Sequence, residues 1–260
     1  MTGIQKTTRP NNLLTIKESQ ARRERPMSGF GLWRLGFRPF YLGSALFSAA
    51  AILFWLGILS GHMAMPATSI NPVFWHAHEM VFGFALAVIA GFLLTASNNW
   101  TGILPAAGMP LAIVFLLWAL ARLFIIIGNL PLAAAADISF ALLLAGLLFR
   151  VLWLAKLWKN FTLLGLVALM GIFNAWFYAM VLTDQPGNAL FPIELALLVV
   201  MQILVVMSGR VIPNFTQNGV PGITIWKPPF FVIATPVITA MAILAWLTLP
   251  PRLADRKSVV

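Results

Sequence analysis

Cysteine is absent from the 260 residues. That excludes disulfides, thiolate zinc sites, iron–sulfur clusters and covalently attached c-type haem. Any metal must therefore be held by His, Met, Asp, Glu or backbone groups. Charge is scarce as well. Asp, Glu, Lys and Arg make up 9% of the chain, and only 7 residues are acidic. A soluble domain carries roughly 25% charged residues. Hydrophobic residues reach 60%, with a mean hydropathy of +0.91. No water-soluble fold of this length hides so much apolar surface, so the class is integral membrane protein. The net charge of +10 does not indicate nucleic acid. The basic residues sit in short segments between apolar runs, where they act as topology signals.

The apolar runs number seven: 40–60, 74–97, 109–128, 130–149, 161–182, 189–208 and 229–249. Each is long enough to cross about 30 Å of hydrocarbon. They lack the alternation of a membrane barrel, and inside lipid every backbone group must be paired within the segment. The expected fold is all-α, a polytopic transmembrane helix bundle of about seven spans.

Lys and Arg set the orientation. Lys6, Arg9, Lys17, Arg22, Arg23, Arg25, Arg34 and Arg38 precede the first span, which predicts a cytoplasmic N-terminus. Arg150, Lys156 and Lys159 then fall in one inside loop, Arg210 and Lys227 in another. The outside loops 61–73 and 183–188 carry no Lys or Arg. No small-residue cleavage site clearly follows the first apolar run, so a cleaved signal peptide is not expected. Residues 1–28 read as a disordered basic cytoplasmic tail with affinity for anionic lipid headgroups. Residues 29–250 form the transmembrane domain. The closing stretch 251–260, with Arg252, Arg256 and Lys257, falls on the outside and breaks the charge pattern, an aberrant basic tail.

The chain has three histidines, and two of them open the second span in WHAHEM. At 100° per residue, His76, Met80, Gly83, Ala87 and Gly91 form one stripe, with Glu79 at its edge. Small residues at this spacing let another helix approach closely, so this stripe is expected to face the bundle. His78 lies about 200° away with Phe82, Ile89 and Leu93, on a bulkier face expected to meet lipid. Two histidines so placed cannot chelate one ion on a regular helix. His76 is then the better inward ligand and His78 serves another partner. The bland alternative makes both histidines interface anchors beside Trp75.

Glu79, a turn below the surface, costs a few kcal/mol unless paired, protonated or hydrated. Arg122 and Asp137 lie at similar depth on either side of a turn near Asn129. The first reading is a buried salt bridge between them. The alternative is that Arg122 binds an anionic group, such as a haem propionate or a substrate, while Asp137 orients it. Glu194, His62, Met63 and Met65 fall in the same outer half. Thioethers beside imidazole suit Cu(I). On the inner side, SNNWTG at 97–102 reads as a helix stop with an aromatic anchor. In SGRVIPNFTQNG at 208–219, Pro213 is expected to break the helix into a polar loop. Asn174 and Gln202 read as interhelical hydrogen-bonding groups.

WHAHEMVFGFALAVIAGFLLTASNNWTG at 75–102, preceded by GFRPFYLGSALF at 36–47 and followed by GRVIPNFT at 209–216, closely resembles the NnrS family of bacterial membrane proteins. The resemblance covers about residues 30–227. It implies a multi-pass protein of the bacterial inner membrane that carries b-type haem and copper and is linked to denitrification and protection against nitric oxide. By position the family's WHAHEM motif falls on Trp75–Met80 and its GRVIP motif on Gly209–Pro213, which makes His76, His78, Glu79 and Arg210 candidate cofactor residues. The residue readings above add Arg122 to these, and His62, Met63 and Met65 to His76 and His78 as candidate metal ligands. Members are usually longer, with a later histidine-bearing segment, so the resemblance further implies a truncated copy. The alternatives are a small-solute transporter or channel, or an inactive copy. Lipid is the expected partner, with a second copy of the chain as another candidate.

Overall fold

The computed structural model of the chain describes residues 31–65, 70–183, 189–220, 222 and 228–248. The basic tail 1–28 and the closing stretch 251–260 lie outside the described residues, as does Lys227. Seven long helices follow one another, and no strand occurs among the described residues. They are α1 (Phe37–Leu59), α2 (Pro72–Thr101), α3 (Met109–Ile126), α4 (Leu130–Leu154), α5 (Phe161–Leu182), α6 (Leu190–Gly219) and α7 (Pro229–Thr248). Six of them carry described segments long and apolar enough to cross a membrane. The many leucines, isoleucines and phenylalanines exposed on their outer faces need lipid rather than water around them.

Local chemistry sets the helix ends. Asn71 caps α2, its Oδ1 accepting from the Val73 amide at 2.8 Å, and Pro72 follows at the first turn, where a missing N–H costs nothing. Gly102 ends α2 with φ +69°, its amide donating to the Asn98 carbonyl. SNNWTG is thus a helix stop, as its composition indicates. A short 3₁₀ turn, Gly31–Arg34, leads into α1 and is pinned from below: the Gly108 amide donates to the Trp33 carbonyl at 2.7 Å.

Helices α3 and α4 form a tight antiparallel hairpin, and α4, α5 and α6 continue it as successive neighbours. Helix α2 sits between α1 on one side and α4 and α6 on the other. It is the most enclosed helix of the bundle. Its middle is not α-helical: Glu79–Ala85 forms a π-helical segment. Wider turns of this kind recur at functional positions.

Helix α6 differs from the expectation that Pro213 would end it. It runs unbroken to Gly219. A proline removes one N–H bond and crowds one carbonyl. Near a helix end the remaining bonds hold the direction, and the Thr216 hydroxyl adds one to the Ile212 carbonyl at 2.9 Å.

Candidate functional site

Four charged or ionisable side chains meet in the bundle interior: His78 and Glu79 from α2, Arg122 from α3 and Asp137 from α4. Their relative exposures are 1%, 1%, 4% and 0%. The α3–α4 hairpin explains half of the cluster. Its turn at Gly128 brings Arg122 and Asp137 to the same depth, and Arg122 Nη2 donates to Asp137 Oδ2. The salt bridge expected from the sequence is present. It is also larger than expected. Arg122 Nη1 donates to Glu79 Oε2 at 3.1 Å, so one guanidinium serves two carboxylates from two helices.

Helix α5 closes the network from the other side. The Tyr178 hydroxyl donates to Asp137 Oδ2 at 2.8 Å. His78 lies between Glu79 and Asn174, with Nδ1 at 3.0 Å from Glu79 Oε1 and Nε2 at 2.9 Å from Asn174 Oδ1. Asp137 Oδ2 stands 3.8 Å from Nε2. The ring makes both contacts as a donor only when each nitrogen carries a hydrogen. Phe177 stacks on the ring at 4.4 Å and Tyr178 meets it edge-on at 5.3 Å. Arg122 Nε, Asp137 Oδ1 and Asn174 Nδ2 are buried with no protein partner.

The π-helical segment is held to this network. Trp118 Nε1 donates to the Gly83 carbonyl at 2.8 Å. A Cβ at Gly83 would stand 2.8 Å from each of Arg122 Nη1, Glu79 Oε2 and Phe47 Cε1. Glycine is required there by the close approach of the ion pair, since nothing larger leaves the guanidinium its place.

The two faces of α2 need correction. His78, expected on a lipid face, is buried against α5. Phe82, Ile89 and Leu93 on its side are buried too. His76, expected to face inward, is only partly buried and stacks on Trp55 of α1, ring centroids 4.5 Å apart and planes within 9°. The small-residue stripe does mark a close helix contact, but with α1: Gly91 lies under Phe40 and Tyr41. A helix enclosed on both sides has no lipid face, so residue bulk does not separate inside from outside.

His76 differs from His78 in what it leaves free. Its Nδ1 is buried without a partner. The remaining predicted residues are scattered. His62 is exposed and its Nδ1 pairs with Ser60 Oγ at 2.9 Å. Met63 packs over Gly57, and Met65 rests partly buried against the core. Glu194 is exposed on α6. Arg210 is far along α6, where Nη1 donates to Asn160 Oδ1 at 2.6 Å and Nη2 to the Lys159 carbonyl at 3.3 Å. Among the described residues no three His, Asp or Glu side chains converge as a metal site.

A family model described as "NnrS protein" matches residues 31–257, most of the chain. The chain belongs to the NnrS family. No curated protein and no solved structure matches it. The NnrS match spans every described residue, so the ion network and the His76–Trp55 stack both lie within it. Asn174 is the interhelical hydrogen-bonding group its sequence position indicates, but its partner His78 and the part of Tyr178 are not readable from the sequence. The signal is weak: a polar residue and a tyrosine one turn apart in an otherwise apolar α5.

Proposed function

We propose that this NnrS-family chain is a membrane haem protein of the bacterial inner membrane, with His76 as the haem-holding residue, acting in the nitric oxide response. The observation that carries this reading is His76 itself. Its Nδ1 is a buried orphan, and its ring is held flat against Trp55. A neutral imidazole with an unused nitrogen, oriented by an aromatic wall, suits iron. His78 fits less well, because both of its nitrogens are engaged and a metal would have to displace Glu79 or Asn174.

Haem iron, when bound, supplies a coordination position for a diatomic ligand such as nitric oxide. The chain's own residues do the rest. Trp55 fixes the plane of the His76 ring. The Glu79–Arg122–Asp137 network fixes α2, which carries His76, against α3 and α4. His62, Met63 and Met65 carry ligand types that suit Cu(I), but they are engaged separately, with Ser60, Gly57 and the core, and do not converge on one site. Arg122 is committed to two carboxylates, so its part is to position α2.

The same reading places the N-terminus in the cytoplasm. The descending and ascending order of the helices gathers Arg34, Arg38, Arg150, Lys156, Lys159 and Arg210 toward one end. The described connecting segments at the other end hold no Lys or Arg. This asymmetry supports a cytoplasmic basic end.

The test is an absorbance spectrum of the detergent-purified chain from haem-supplemented cells, with metal analysis beside it. A Soret band in the wild type that is lost in His76→Ala supports the proposal. A folded wild type with neither Soret band nor iron removes it. In that case solute flux into liposomes addresses the transporter reading, which rests on the π-helical break beside buried charges.

A further inference from the structure

A second feature lies apart from the ion network, at the basic end of the bundle. A groove of about 700 Å³ runs between α6 and α7 and reaches the start of α5. Its walls are apolar, with Leu204, Phe231, Ile233 and Val237 among them, and Arg210 stands in its lining with Thr162. We infer that this groove binds one anionic phospholipid, its phosphate on Arg210 and an acyl chain along the α6–α7 walls.

The charge of Arg210 is the first argument. Its contacts are neutral acceptors, Asn160 Oδ1 and the Lys159 carbonyl. No carboxylate pairs with it among the described residues, in contrast to Arg122. Two of its terminal nitrogens are thereby oriented, and the planar fork keeps further donors for a phosphate.

The shape of the groove is the second. A Cβ on Gly209 would meet nothing within 4 Å, so the floor beside Arg210 is open. Pro213 has no N–H to give the Gly209 carbonyl, its helical partner four residues back. That leaves a backbone acceptor at the floor for a headgroup hydroxyl. Gln202 ties α6 to α7 through the Pro236 carbonyl at 2.9 Å, which holds the two walls together.

Depth is the third. The segment that orients Arg210 also bears exposed Lys156 and Lys159, and exposed Trp153 and Trp158 meet edge-on at 5.1 Å. Tryptophan and lysine together mark the headgroup level of a bilayer. Arg210 therefore stands where a lipid phosphate lies, and the surrounding field is positive.

Native mass spectrometry of the full chain in detergent, titrated with phosphatidylglycerol and with phosphatidylcholine of the same acyl chains, tests this. The wild type is expected to retain a first phosphatidylglycerol about fivefold more tightly than phosphatidylcholine, the contribution of one well-placed cation. Arg210→Gln is expected to abolish that preference, and Arg210→Lys to keep most of it. Gly209→Leu, which fills the floor and leaves the charge in place, is expected to lose the tight adduct. If Arg210→Gln fails to fold by circular dichroism, Gly209→Leu decides alone. Equal retention of the two lipids by the wild type overturns the inference. So does an unchanged preference in Arg210→Gln or Gly209→Leu, or displacement of the adduct by millimolar inorganic phosphate.

Discussion

Arg122 Nη1 and Glu79 Oε2 are 3.1 Å apart across the contact of α2 and α3, both side chains almost wholly buried. The pair ties the helix that carries both WHAHEM histidines to the α3–α4 hairpin. Removing one partner leaves an uncompensated charge in a medium that cannot solvate it. Arg122→Gln is expected to cost about 3–5 kcal/mol. Neutralising the acids in the triple variant Arg122→Gln, Glu79→Gln, Asp137→Asn is expected to recover a substantial part. Thermal unfolding in detergent reads both. A triple variant no more stable than the single one counts against the ion network as the cause.

Gly83 gives a steric version of the same test. A Cβ there would stand 2.8 Å from the guanidinium and from Glu79. Gly83→Ala is expected to cost about 1–3 kcal/mol as the pair is pushed apart. Gly146, in the middle of α4, meets nothing within 4 Å. There the alanine is expected to be neutral or stabilising by up to about 1 kcal/mol. Melting temperatures of the two variants should move in opposite directions or differ clearly in size.

The Arg122–Asp137 pair could be read from the chain because charge in lipid is rare and a short hairpin fixes depth. The seven helices could be read from length and hydropathy. The third and fourth members of the network could not. Helical periodicity gives the angle between His76 and His78 but not which neighbour fills each direction. That depends on α2 lying between α1 on one side and α4 and α6 on the other, with His78 reaching Asn174 and Tyr178 of α5, a property of the whole packing. The π-helical segment at Glu79–Ala85 has no signature in propensity either, because Phe, Val and Ala suit either helix. Pro213 misled for a related reason: a single proline stops a helix only where the flanking turns are weak.

The two WHAHEM histidines should separate cleanly when each is removed. His78→Ala leaves Glu79 Oε1 and Asn174 Oδ1 without their partner in a dry interior, at an expected cost of about 3 kcal/mol or more. His76→Ala loses one stacking contact at a partly exposed site, an expected cost of about 1 kcal/mol. Under the haem proposal it is this milder variant that loses the Soret band. Parallel melting curves and spectra test the crossing pattern. Loss of the band in His78→Ala with a normal melt would move the ligand to His78.

Tyr178 donates to Asp137 Oδ2 at 2.8 Å, and the acceptor is charged. Tyr178→Phe keeps the ring, its edge contact with His78 and its volume, and deletes only the hydroxyl. The expected cost is about 1.5–3 kcal/mol, the range for a hydrogen bond to a charged group. Unfolding measurements against the wild type check it. A change under about 0.5 kcal/mol would mean that Asp137 is satisfied without the hydroxyl, for example by water at its second oxygen.

The orientation can be fixed directly because the chain has no cysteine, so any single introduced thiol is the only one to react. Ser60, exposed just beyond α1, lies at the end that holds His76. Lys156 lies exposed at the opposite, basic end. In intact cells, a membrane-impermeant maleimide is expected to label Ser60→Cys and to leave Lys156→Cys unlabelled until the membrane is opened. The reverse pattern would put the His76–Trp55 stack on the cytoplasmic side. It would also require the cluster of Lys and Arg to face outward, against the bias that Lys and Arg near span ends impose on membrane insertion.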